Sequence, residues 1–121
     1  MIGVDIVEIK RIERAMEMSQ FLTRICTDEE REFLRTKNFA PQTVAGIYAA
    51  KEAVSKAIGT GLGEGVGFHD IEVSHDQLGR PTVIFHGIAK SKVEEQGGGR
   101  AVLSISHEKD YAVAMCLIHR V

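Results

Sequence analysis

The chain has only two thiols, Cys26 and Cys116, in 121 residues, and no C-x-x-C spacing joins them. That argues against a disulfide scaffold and a cysteine-built metal site, and both residues read as buried or semi-buried thiols. A basic excess is missing as well: 15 Lys and Arg stand against 17 Asp and Glu, a formal net charge of -2. The chain is therefore not a general nucleic-acid binder, and any basic docking surface must be local. No apolar run reaches the roughly 18 residues of a membrane span, and the N-terminus lacks the basic-then-apolar order of a signal peptide. A cytoplasmic protein with one domain over residues 1–121 is the expectation, because a chain this size encloses one sizeable core.

Ready-made catalytic signatures are absent too. The glycines at 59, 61, 63, 65 and 67 lack G-K-[ST] and follow a helical pattern where a phosphate loop would precede one. Amides in that turn, with Lys56 and Thr60, still offer a modest anion site. Neither Ser104 nor Ser106 sits in G-x-S-x-G, and alternation along a strand turns Ser106 and His107 to opposite faces. His69, His75, His86 and His119 show no zinc-like spacing and are expected at the surface or at strand edges.

What is present reads as a helix-rich first half and a strand-rich second half. MIGVDIVEI alternates as a strand, with Gly3 permitting close packing and Asp5 as its polar member. KRIERAMEMSQFL predicts one short helix with Ile12, Ala15, Met16, Ser19 and Leu22 inward. Thr27 and Glu30 form the capping box of a second helix that ends before Pro41. The longest helix covers about 43–58 and stops in glycines. FHDIEVSHD, RPTVIFHG, RAVLSISH and YAVAMCLIH predict strands, with a helix over GIAKSKVEEQ and His107 at a strand end beside the EKD turn.

The 43–58 helix is apolar around most of its circumference, with Lys51 and Ser55 on one polar strip and Glu52 and Lys56 on another. Glu52 and Lys56 read either as an ordinary surface pair or as part of a site. A carboxylate among Ala49, Ala53 and Tyr48 needs a cation, a metal or donors to offset desolvation. Asp5 raises the same question from a strand whose alternation partners are Gly3 and Val7. Two carboxylates in apolar elements suit Mg²⁺, which prefers oxygen ligands and commonly shares them with a ligand phosphate.

GVDIVEI at 3–9, AAKEAVSKAIGTG at 49–61 and SISHEKDYAVA at 104–114 closely resemble the three characteristic blocks of bacterial holo-acyl-carrier-protein synthases, the small 4'-phosphopantetheinyl transferases. FLTRICTDEE at 21–30 resembles the segment between the family's first helices. The resemblance implies a single α+β domain, an antiparallel sheet packed against a long helix, assembled as a homotrimer with sites at subunit boundaries. It implies Asp5 and Glu52 as Mg²⁺ ligands, Lys56 on the phosphate of coenzyme A, and Thr60, Gly61 and His107 in the same site. Arg11 and Arg14 then belong to a basic helix that receives an acidic acyl carrier protein.

The implied reaction is attack by a carrier serine on the β-phosphate of coenzyme A, in the service of fatty acid biosynthesis. Lys56 stabilises the leaving phosphate, and a water on the metal, assisted by Glu52, takes the serine proton. One position departs from the pattern: many members place Arg where this chain has Ile47, so another cation must meet the coenzyme A phosphate or binding is weaker. A non-catalytic carrier-protein or coenzyme A binding module and a metal-dependent phosphohydrolase are the competing readings.

Overall fold

Pro41 opens the central helix, where its fixed φ suits the first turn and its missing N–H costs nothing. In the computed structural model, which describes residues 1–63 and 65–119, this helix, α4, runs Pro41–Ile58 and ends at Gly59, whose φ of 98° favours glycine. Ahead of it lie β1 (Ile2–Glu8), α1 (Ile9–Met16), α2 (Phe21–Ile25) and α3 (Asp28–Thr36). A 3₁₀ turn (Phe68–Asp70), β2 (Ile71–His75), β3 (Pro81–Phe85), α5 (Gly87–Glu95), β4 (Arg100–His107) and β5 (Tyr111–His119) follow.

An antiparallel sheet in the order β1-β5-β4 lies against α4, and β2 and β3 form a separate hairpin. Val7, Ala112, Ala114, Cys116, Ile118 and Leu103 of the sheet are buried, as are Val44, Ala49, Ala53, Val54 and Ala57 of the helix. This is the α+β architecture that the sequence predicts. Both cysteines are buried and free, as expected. Burial pushes the Cys26 thiol up to about 12, with the Glu30 carboxylate adding to the shift, and burial pushes Cys116 up to about 11.

The approach of β1 to α4 depends on Gly3. A methyl group there would overlap the Ala53 carbonyl and come within 2.7 Å of the Ala57 amide nitrogen. Hydrogen there lets strand backbone rest directly on helix backbone, and two residues on, Asp5 is carried to the same helix.

The single helix expected over residues 10–22 is instead two. α1 stops at Met16, and Gln20 takes a left-handed φ of 76° before α2 starts at Phe21. Ser19, expected inward, is exposed. A polar Glu-Met-Ser-Gln stretch holds no core contact that could keep the helix going. Ile12 and Ile25, one from each piece, do reach the core.

Candidate active site

Asp5 lies on the covered face of β1 between Gly3 and Val7, and its side chain is 15 % exposed. The Lys56 ammonium donates to Asp5 Oδ1 at 3.0 Å and to the Val4 carbonyl at 3.1 Å. Glu52 precedes Lys56 by one helical turn and is partly buried. Its carboxyl is pushed above the ordinary range, chiefly by desolvation and next by the Asp5 carboxylate, against the pull of Lys56 and Arg11. The Tyr48 hydroxyl is pushed up as well, by burial and then by the Glu52 charge. Asp5, Glu52 and Lys56 therefore form one electrostatic cluster, and Arg11 of α1 acts on it.

The cluster fits a hard divalent cation. Its donors are carboxylate and carbonyl oxygens, and it already gathers one positive charge, the Lys56 ammonium, against Asp5. Among the described residues no group of three or more metal-ligating side chains occurs. Two carboxylates with the remaining positions open to water and phosphate match the way Mg²⁺ is usually held.

Lys51 reads from the sequence only as part of a polar strip and Glu30 only as a cap residue, yet both are buried, at 0 % and 1 % exposure. Lys51 Nζ donates to Glu30 Oε1 at 2.6 Å and to the Phe68 carbonyl at 2.7 Å. Glu30 also completes the predicted capping box with Thr27 and accepts the Val73 amide at 2.7 Å. The capping box was legible; that the same carboxylate reaches inward to a lysine was not.

His107 is on the same sheet face as Asp5. The register aligns Asp5 with Ala114 and Ile105, and His107 with Ala112. Two strand spacings and a two-residue step put their backbones about 12 Å apart, so within one chain His107 does not join the Asp5 cluster. Instead it borders a cavity of about 190 Å³ with Gln42, Gly46, Ile47 and His75. His75 stacks on Phe33 at 3.9 Å, and burial, followed by the Lys37 charge, lowers its basicity. Ile47, 2 % exposed, is part of this wall. Of the histidines expected outside, His69, His86 and His119 are exposed, and only His75 turns toward a cavity.

Thr60 and Gly61 lie one turn beyond Lys56, and both amides donate to the Ser55 carbonyl at 3.2 Å. The amides of Gly63 and Gly65 are also bonded to backbone oxygens. The anion site that the glycine series offered thus lacks free donors at these positions.

A family model described as the 4'-phosphopantetheinyl transferase superfamily matches residues 1–116. The chain belongs to that family. It is 45 % identical over 118 residues to the holo-[acyl-carrier-protein] synthase of Koribacter versatilis, covering 96 % of this chain and 94 % of the relative. The crystal structure of holo-[acyl-carrier-protein] synthase from Neisseria meningitidis superposes with a TM-score of 0.87 at 41 % identity, over 98 % of this chain and 97 % of that one. The Helicobacter pylori enzyme, solved in complex with coenzyme A, gives 0.85 at 32 % identity, over 98 % and 100 %.

Proposed function

We propose that the protein transfers 4'-phosphopantetheine from coenzyme A to a serine of apo-acyl carrier protein, releasing adenosine 3',5'-bisphosphate. It is an enzyme of the phosphopantetheinyl transferase type, serving fatty acid biosynthesis. The observation that carries the reading is the Asp5, Glu52 and Lys56 cluster: two carboxylates and an ammonium gathered where β1 meets α4. The relatives' names and the coenzyme A in the Helicobacter pylori structure give that cluster its substrates.

Asp5 and Glu52 would hold Mg²⁺, which, when bound, neutralises pyrophosphate charge and orients the β-phosphate for in-line attack. Lys56 leaves Asp5 for the phosphate and stabilises the charge that develops as the bond to the adenosine bisphosphate breaks. A water beside Glu52 would take the serine proton, with the Glu52 carboxylate assisting it. Thr60 and Gly61 form the floor beyond Lys56, and His107 meets the nucleotide end. With Ile47 in place of arginine, no guanidinium comes from that position, and His107 is the polar side chain that lines the same cavity. Arg11 and Arg14, exposed on α1, receive the acidic carrier.

The assembly completes the site. The outer sheet face exposes Ile2, Val4, Ile6, Val113, Met115 and Leu117, more contiguous apolar surface than a monomer usually leaves uncovered. His107 and Asp5 lie apart within one chain, and His107 lines an open cavity together with Ile6 and Tyr111. Covering the outer sheet face with further copies removes that apolar surface from water, and the family resemblance sets the number at three with sites at subunit boundaries. No described helix is long and apolar enough to cross a membrane.

Mass spectrometry of apo-acyl carrier protein incubated with coenzyme A and Mg²⁺ tests the reading. Addition of one phosphopantetheine is expected. Release of adenosine bisphosphate with unmodified carrier would point to hydrolysis, and neither product to a non-catalytic binding module.

A further inference from the structure

A buried ion pair adds little net stability compared with apolar side chains of similar volume, because desolvation offsets most of the attraction. Lys51 and Glu30 nonetheless form such a pair with 0 % side-chain exposure on both partners. Every charged atom of the pair has a partner: Lys51 Nζ serves Glu30 Oε1 and the Phe68 carbonyl, while Glu30 takes the Thr27 amide at 2.8 Å and the Val73 amide at 2.7 Å. The pair thus ties the start of α3, the 3₁₀ turn and, through Glu30, β2 to a single point on α4. The next residue along α4 is Glu52.

Val44, Ile47, Val54 and Ile58 of α4 are buried and oppose rotation by packing alone, but much of the remaining buried surface is small. Ala45, Ala49, Ala50, Ala53 and Ala57 are all buried, and small side chains make smooth, non-directional contacts. Ser55 bonds only within the helix, to the Glu52 carbonyl at 2.7 Å. A helix turned by about 10° moves a glutamate carboxylate by roughly 1 Å, given its distance from the axis. Such a shift matters to a coordination site, where ligands must be held within roughly 0.5 Å.

We propose that Lys51 is a positioning residue: its pair with Glu30 locks the rotation of α4 and so holds the Glu52 carboxylate toward Asp5 for the metal. This rests on the reading of Asp5 and Glu52 as metal ligands. The pair is retained for placement rather than for stability.

The test is the double variant Lys51→Met with Glu30→Gln, which removes both charges together and leaves none unpaired. Mn²⁺ binding to the free protein, followed by electron paramagnetic resonance, reads the site without turnover. A melting temperature near the native one is expected, with Mn²⁺ affinity weakened about tenfold, the range typical of outer partners of metal ligands. The Mg²⁺ concentration for half-maximal transfer should rise by a similar factor, while turnover at saturating Mg²⁺ falls less. If the double variant does not fold, Glu30→Asp keeps both charges but shortens the reach, and a smaller weakening in the same direction is expected. A folded variant with native Mn²⁺ affinity and native Mg²⁺ dependence overturns the proposal alone. Native protein whose Mn²⁺ binding is absent, or unchanged by Asp5→Asn, overturns the metal-site reading and this proposal with it.

Discussion

The Lys56 ammonium rests on Asp5, 3.0 Å from Oδ1, rather than on Glu52 one turn before it on its own helix. The lysine and the expected cation therefore compete for the same carboxylate, and metal binding sets the lysine free for the phosphate. Lys56→Met should lower transfer strongly yet raise Mg²⁺ affinity of the free protein about two- to fivefold, the worth of a half-exposed pair. Calorimetric titration without coenzyme A checks it; weaker binding in the variant would make Lys56 a helper of the metal instead.

Asp5→Asn and Glu52→Gln should each reduce transfer by well over about tenfold, with excess Mg²⁺ restoring only part. Stability should move the other way for Glu52. Its carboxyl is raised from the ordinary 4.5, so the folded state binds more protons than the unfolded one between the two values. Its contribution to stability falls as pH rises through that window. Glu52→Gln should accordingly melt higher than native at neutral pH and lose the advantage near pH 4, which thermal denaturation at the two pH values can read.

Gly3→Ala should cost at least about 2 kcal/mol, because the added methyl meets helix backbone that cannot repack. Urea unfolding measures it. An unaffected midpoint would mean that β1 can lift from α4 without penalty.

Arg14→Glu should raise the carrier concentration needed for half-maximal rate several-fold, leave the coenzyme A dependence nearly unchanged, and flatten the response to salt. Arg11→Glu should do this and also tighten Mg²⁺ binding to the free protein, since a positive charge acting on Glu52 is replaced by a negative one. Steady-state titration of each substrate separates the two arginines. Unchanged carrier dependence and salt response in folded variants would remove the docking face from α1.

Light scattering should give about three times the 13.3 kDa of one chain. Met115→Glu, on the exposed side of the middle strand, should shift the mass toward the monomer and abolish transfer. A monomeric native protein with full activity would contradict the shared site.

Much of this was legible in the sequence because its signals are local. The glycines end α4, Thr27 and Glu30 mark the α3 cap, and alternation marks the five strands, whereas α4 starts at Pro41, about two residues ahead of its expected start. The Asp5, Glu52 and Lys56 grouping came from polar residues placed in apolar elements, sharpened by the resemblance. What escaped depends on pairings distant in sequence. The polar strip of Lys51 and Ser55 does not reveal that Glu30, 21 residues earlier, lies opposite Lys51. Likewise His75 reads as an edge residue until the hairpin folds its ring onto Phe33. The break at Gln20 escaped for another reason: a polar stretch continues a helical pattern as readily as it ends one.

Both faces of the main sheet are greasy, and strict alternation along β5 leaves Ala112, Ala114, Cys116 and Ile118 inside with Val113, Met115 and Leu117 outside. Water alone would hardly notice if β1 shifted by one position, since apolar groups would still point both ways. The missing side chain at Gly3 notices. Slipped one step either way, Ile2 or Val4 would drive a full side chain into the backbone of Ala53 and Ala57. The notch thus works as a key that admits one alignment, and that alignment delivers the Asp5 carboxylate, not its aliphatic neighbours, to Lys56.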